Sequence, residues 1–429
     1  MKNFLIVCFM GILCSLYIFP FEFHAFPGVN TKMILALFGL VLFGFDLIGK
    51  RSPEVGKDML GVTIFALVFS LLSYFSVVYN NTTDMAYATY FISMWVWTGG
   101  AYFLIYVLRR MHSQASIQLI FHYLALVCVA QLFIALVIDA NPAVQELVDS
   151  VISQNEEFLH ETNRLYGIGA SFDTAGIRFS CALIGLGYLI THKPSAFWLW
   201  SYWLCFIIIV VVGNMMARTT IVGVLLSVLY MGCYKITPKA YLSTRQLKRF
   251  LIWTALLVTA IVFIVAKYKS SPDFHHDIRY AFEGFFNYIE TGEWETSSTN
   301  RLMSMVVWPD NMKTWLIGDG LFDNPYGSGF YMHTDVGYLR LIFYCGLIGL
   351  FSFIVMLLFI VYRLSVKWPK ESLMVVFLFI LQSLVWIKIS TDIYQIFALL
   401  LLLKPAENQF RKIIFYKHDT EEDSLLLVE

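Results

Sequence analysis

Between Thr299 and Leu350 the chain gathers the side chains best suited to chemistry. Arg301, Asp319, His333, Asp335 and Arg340 stand among glycines and run straight into a long apolar stretch. A neutral imidazole such as His333 can take a proton from an attacking hydroxyl near neutral pH. Asp335, two residues on, can orient that ring or act as the base itself. The same residues also read as a plain helix start, with Thr334 or Asp335 as the cap. Four arginines fall at the edges of apolar stretches: Arg178 in FDTAGIRFS, Arg218 in GNMMARTT, Arg301 in SSTNRLMS and Arg340 in HTDVGYLRL. Arginine at mid-membrane costs about 2.5–3.5 kcal/mol, and its planar fork of donors matches phosphate oxygens. Snorkelling or a structural ion pair explains any one of them equally well. The set of four favours an anion site, and a pyrophosphate headgroup at the outer leaflet would suit several such forks.

Other chemistries find less support. His275, His276 and Asp277 invite a metal, but adjacent histidines rarely converge on one ion and no third ligand follows. External loops hold no Asp-x-Asp pair, which speaks against metal-dependent sugar transfer. The chain has no P-loop, dinucleotide fingerprint or G-x-S-x-G elbow, so neither metal nor cofactor is expected. Asp46, Asp139 and Lys388, near the ends of apolar stretches, hint weakly at an ion path.

The elements that must position these residues are helices in a bilayer. Of 429 residues 59% are hydrophobic and 14% charged, with a formal net charge of zero and a mean hydropathy of +0.69. This composition excludes a soluble domain and predicts an all-α, polytopic bundle. The neutral balance suggests no nucleic-acid partner. Apolar spans are predicted near 4–20, 32–49, 59–79, 86–108, 117–138, 176–191, 196–213, 218–234, 251–267, 336–362, 372–388 and 393–403, about twelve in all, the last being short. The first is read as a helix rather than a cleaved leader, because FPFEFHAF offers no small-residue cleavage site. All seven cysteines lie within apolar spans, which argues against a disulfide framework.

Basic residues recur in alternate short loops, from Lys50, Arg51 and Lys57 to Arg363, Lys367 and Lys370. By the positive-inside rule those loops and both termini are cytoplasmic, and 404–429 is a cytoplasmic tail. Two long loops are then external. In 139–175 the spacing of Val144, Leu147, Val148, Val151 and Ile152 predicts an amphipathic helix lying on the membrane. The loop 268–335 carries Tyr280, Phe282, Phe285, Phe286, Tyr288 and Trp294 for packing at the interface or on the first loop. The two are expected to fold against each other over the bundle, within a single membrane domain.

This layout, with the segment IGDGLFDNPYGSGFYMHTDVGYLRLIFYCGLIGL, resembles the bacterial O-antigen polymerases (Wzy-type repeat-unit polymerases) and the related O-antigen ligases. ARTT at 217–220 is similar to a Ser-Arg-Thr element of that superfamily, with Ala in place of the usual Ser. The likeness covers the layout and about a fifth of the chain in motifs. It implies an inner-membrane glycosyltransferase acting on undecaprenyl-pyrophosphate-linked oligosaccharide at the periplasmic face, part of lipopolysaccharide or related polysaccharide biosynthesis. A chain-length regulator and a flippase would be its partners. In the ligase-like pattern two arginines and a histidine are functional, and Arg218, Arg301 and His333 fit those places. The step TD-x-G-Y after His333 is more similar to a polymerase. The resemblance therefore implies inverting transfer without metal, His333 or Asp335 taking the hydroxyl proton, and Arg218 and Arg301, with Arg178 or Arg340, facing the pyrophosphate. The alternatives are an O-antigen ligase, with lipid A–core as acceptor, and a lipid-linked oligosaccharide flippase. A flippase would carry more charge at mid-span and shorter external loops.

Overall fold

In hydrocarbon a backbone must satisfy its own N–H and C=O groups, and a helix does so within one segment. The long apolar runs among the described residues accordingly fold as helices, with almost no sheet there. The computed structural model describes residues 2–49, 56–112, 115–154, 159, 164–192, 194–234, 279, 283–293 and 295–404. The described helices are α1 (Lys2–Ile18), α2 (Thr31–Ile48), α3 (Lys57–Tyr79), α4 (Tyr90–His112), α5 (Ile117–Ala140), α6 (Pro142–Val151), α7 (Phe172–Thr191), α8 (Ala196–Met216), α9 (Thr220–Tyr234), α10 (Glu283–Thr291), α11 (Ser297–Ser304), α12 (Met312–Leu316), α13 (Gly337–Lys367), α14 (Ser372–Val385) and α15 (Tyr394–Leu402). Seven of these, α2, α3, α4, α5, α7, α8 and α13, are long and apolar enough to cross a membrane; α1 and α9 are shorter apolar helices.

Helix α7 is the centre of the bundle, with all but a few of its residues buried. It packs on α5, α8, α9 and α14, while α2 lies along α4 and α3 along α13. Small residues set these approaches. A Cβ on Gly39 of α2 would fall 1.8 Å from the Gly99 carbonyl oxygen of α4, and one on Gly223 of α9 would meet Ser180 of α7 at 2.3 Å. Either substitution would force two helices apart.

The nine residues of α15 are all buried. Nine residues rise about 13 Å, well short of a hydrocarbon core of about 30 Å. At the span expected at 393–403 the helix alone thus covers part of the bilayer's depth; it packs on α4 and follows α14 after a turn. The turn between them is pinned by Gln382, whose Nε2 donates to the Thr391 carbonyl (3.0 Å) and whose Oε1 accepts the Ile393 N–H (2.7 Å). The span expected at 251–267, the motif His275, His276 and Asp277, the residues Tyr280, Phe282 and Trp294, and the tail beyond Lys404 lie outside the described residues.

The two ends of the bundle differ in charge. At one end Arg109 and Arg110 close α4, Arg363 of α13 pairs with Asp58 of α3, and Lys367 donates to the Leu401 carbonyl. The candidate residues stand at the other end. There the link between α1 and α2 forms a two-residue strand, β1 (Glu22–Phe23), antiparallel to β2 (Ile152–Ser153) at the end of α6. Helix α6 forms where amphipathic spacing predicts one, capped by the Asn141 side chain on the Ala143 N–H. Val148 packs with Ile138, Ile152 and Tyr166, with Val144 against them, while Leu147 and Val151 stay exposed. The first long loop thus packs on the end of α5 and on the α1–α2 link, and the second, from α12 onward, on α3 and α13. All seven cysteines are unpaired.

Candidate functional site

Helix α13 is broken near its start. Gly346 adopts φ 67° and ψ −174°, a conformation that only glycine tolerates. The break frees the carbonyls of Phe343 and Tyr344, and the segment Gly318-Asp319-Gly320 fills it. The Asp319 N–H donates to the Phe343 carbonyl (2.6 Å) and the Gly320 N–H to that of Tyr344 (3.0 Å). Gly318 and Gly320, both at positive φ, allow the approach: a Cβ on Gly318 would lie 2.5 Å from the Tyr344 carbonyl. The Asp319 carboxylate accepts from Lys313 Nζ (2.7 Å), Thr314 Oγ1 (2.7 Å) and Tyr331 Oη (3.3 Å). Asn80, at the end of α3, accepts from Lys313 Nζ (2.6 Å) and donates to the Gly318 carbonyl (3.1 Å). The G-x-G element and its acid therefore hold a broken helix together.

That joint fixes the first turns of α13, which carry Arg340 and directly follow Asp335. Asp335 Oδ1 lies 3.7 Å from Arg340 Nη1. The Arg340 side chain is only 4% exposed, and its Nε and Nη2 are buried without a hydrogen-bond partner. Burial pushes the Asp335 carboxyl above its ordinary range; Arg340, Lys388 and Arg301 pull it down, and Asp173 adds to the rise. A carboxylate raised in this way holds a proton more readily, as a general base must. Lys388, just after α14, pairs with Asp173 in the first turn of α7 (2.8 Å). Gly337 lets α13 start against the backbone of Trp386 and Ile389, where a Cβ would collide at 2.6–2.9 Å. Asp335, Arg340, Asp173, Lys388 and Arg301 thus share one electrostatic neighbourhood built from four separate stretches of chain.

A second group lies along α7. Arg178 sits 5.3 Å from the Phe19 ring centroid at the end of α1. Lys32, in the first turn of α2, lies 4.7 Å from the Trp97 ring centroid and within Coulombic reach of Arg178, Asp392 and Glu22. Asp392 accepts from Tyr90 Oη (2.8 Å) and from the Tyr394 N–H (3.1 Å), so its carboxylate stands at the start of the buried helix α15. Sequence reasoning missed Lys32 and Asp392. Each is a lone ionisable residue at a helix start, which reads as a cap or a loop residue. The shortness of the last apolar run was the only signal that polar groups would be carried between the helices there.

The remaining candidates are less centrally placed. Arg218 pairs with Glu283 and donates to Ser297 Oγ (3.2 Å), so α10 and α11 already engage its guanidinium. Arg301, in the last turn of α11, is exposed and reaches the cluster only through its electrostatic influence on Asp335. His333 is exposed, and its backbone takes φ 54° next to Met332 at 55°. Among the described residues no hydrogen bond joins it to Asp335, so orientation of the ring by that carboxylate does not occur in this state. The expected cap is only half present: Thr334 Oγ1 accepts the Val336 N–H (3.3 Å), but Val336 is the N-cap of α13 and has no side-chain bond. Among the described residues no cluster of three metal-ligating side chains occurs.

No family model matches the chain, and no curated protein matches it. Chemically, the cluster can hold an anion against fixed guanidinium and ammonium groups and offer a carboxylate beside it.

Proposed function

We propose that the chain is a membrane glycosyltransferase that polymerises undecaprenyl-pyrophosphate-linked oligosaccharide repeat units at the periplasmic face of the bacterial inner membrane. About twelve spans and cytoplasmic termini complete this reading. The observation that carries it is the neighbourhood of Asp335, Arg340, Lys388–Asp173 and Arg301 at the end of the bundle opposite the basic loops. The resemblance of the segment around His333 and Asp335 to O-antigen polymerases supplies the reaction class.

In this reading a hydroxyl oxygen of the incoming repeat unit attacks the anomeric carbon of the donor. The new glycosidic C–O bond forms as the bond to pyrophosphate breaks, and the electron pair leaves with undecaprenyl pyrophosphate. A single displacement inverts the anomeric centre. Asp335 takes the hydroxyl proton, since its carboxyl is raised by burial and stands beside Arg340. His333 is the other acceptor to test. Arg340, Arg301 and Arg178 offset the charge growing on the leaving group. Arg218, tied to Glu283 and Ser297, holds α10 and α11 in place.

The test is the surface-glycan length profile of a strain lacking this gene, complemented with wild type, Asp335→Asn, His333→Ala or Arg301→Ala. Collapse of the ladder to a single repeat, rescued by wild type alone, supports polymerisation. Loss of all surface glycan with long lipid-linked chains points to ligation to lipid A–core. Single lipid-linked repeats held on the cytoplasmic side point to a flippase, and an unchanged ladder refutes glycan assembly.

A further inference from the structure

Arg340 is held in an unusual way. Its guanidinium carbon lies 3.5 Å from the ring centroid of Phe322 and 3.4 Å from that of Phe330. Both rings belong to one hairpin. Asp323 bridges to Phe330, the Asn324 N–H donates to the Gly329 carbonyl (2.9 Å), and the Tyr331 N–H donates to that of Phe322 (3.1 Å). The two rings cage the cation, a contact that gains strength when desolvated. They do not satisfy its hydrogen bonds. Nε and Nη2 are the two atoms that together form the side-on fork of a guanidinium, and both are buried without a partner. Leaving such donors unmade is costly, more so on a charged group.

The hairpin has the features of a movable cover. Its tip residue Tyr326 is 96% exposed. One root is clasped by the Asp84 carboxylate, which accepts the N–H groups of Phe322 (2.7 Å) and Asp323 (3.1 Å). The other root is the pair Met332 and His333, two successive non-glycine residues at positive φ. Backbone strain of this kind concentrates at switch regions. The hairpin also brings Asp323 near Arg340, alongside Asp84 and Asp335. Lifting the hairpin removes two rings and one carboxylate from the guanidinium at once.

We propose that Arg340 is a gated oxyanion site, in which a phosphate group docks on the Nε–Nη2 edge as the hairpin Phe322–Tyr331 lifts away. The inference rests on the glycosyltransferase reading for the identity of the anion, a pyrophosphate, and adds which arginine edge takes it and what must move first. With the cover shut, the competent state is a minor one, and apparent affinity falls by its population.

The full chain in nanodiscs is titrated with inorganic pyrophosphate and, in parallel, with farnesyl pyrophosphate, by calorimetry. A spin label at Tyr326→Cys, with the exposed Cys8 and Cys233 replaced by serine, reports hairpin mobility. Wild type is expected to bind and the label to loosen on binding. Arg340→Lys keeps the charge but loses the fork, and affinity is expected to fall about ten- to a hundredfold. Phe330→Leu weakens the cover, and affinity is expected to rise with the label already mobile. Opposite shifts in two variants of one site cannot come from misfolding. Binding of both probes shows that the phosphates suffice, and binding of farnesyl pyrophosphate alone shows that the lipid headgroup is required; either supports the site. Binding that Arg340→Lys and Phe330→Leu leave unchanged overturns the gated site while the glycosyltransferase reading survives through other cations. Binding of neither probe overturns both.

Discussion

Replacing Gly346 with alanine tests whether the joint between the Gly318-Asp319-Gly320 segment and the broken helix α13 holds the site in place. At φ 67° and ψ −174° a Cβ is strained by about 1–3 kcal/mol. The added carbon would also fall 2.2 Å from the Leu316 carbonyl group and 2.5 Å from the Ile317 nitrogen. These are backbone atoms, so the 316–320 segment must move. Movement would break the bonds from Asp319 N–H and Gly320 N–H to the carbonyls of Phe343 and Tyr344. Two buried bonds left unmade, at about 1–3 kcal/mol each, bring the total to about 3–9 kcal/mol, against a typical native stability of about 5–15 kcal/mol. The assay is thermal unfolding of the purified chain in one detergent, with Gly44→Ala as control, because a Cβ at Gly44 in α2 meets nothing within 4 Å. Gly346→Ala is expected to melt several degrees below wild type, and the control at or slightly above it, since alanine favours helix. Equal melting of Gly346→Ala and wild type would refute the joint.

Three further outcomes follow from the cluster. Asp335→Asn is expected to lower turnover about 10²–10⁴-fold, the usual contribution of a positioned base, with the fold intact by melting and gel filtration. The base works deprotonated and burial raises its carboxyl, so wild-type rate should climb with pH through a value above the ordinary carboxylate range. An acid limb at or below that range in a pH–rate profile would contradict the assignment. Lys388→Met leaves Asp173 without its 2.8 Å partner and is expected to destabilise by about 1–3 kcal/mol, between an exposed and a fully buried pair. The double variant with Asp173→Asn should recover most of that loss; a double variant as unstable as the single one would show that the pair is not the cause.

Fold class was readable because hydrocarbon leaves a chain with one economical solution, and apolar runs of about 20 residues mark it. The amphipathic helix α6 was equally legible from Val144 and Val148, since its apolar edge must meet something. The extent of α15 was not, because the apolar run 393–403 does not say that its helix is only nine residues long or that it packs on α4. At the site, the arginines and Asp335 stood out because charge at a span edge needs a reason. Their relations did not: nothing in the order of residues says that Asp173 meets Lys388, or that Arg218 is taken by Glu283. The IGDG element was visible as a motif, but its work is mechanical. A glycine at 346 and a loop at 318–320 become one feature only when the helix breaks. Lys32 and Asp392 stayed hidden because their partners come from three other helices.

Reconstitution tests the glycosyltransferase account most directly. The purified chain in proteoliposomes is supplied with one undecaprenyl-pyrophosphate-linked repeat unit, with chelator present, and products are resolved by size. The account expects lipid-linked oligomers of two or more units with release of undecaprenyl pyrophosphate, little product from Asp335→Asn or Arg340→Lys, and no dependence on added metal. Unchanged monomer with folded wild-type protein, or undiminished oligomers from both variants, would contradict it.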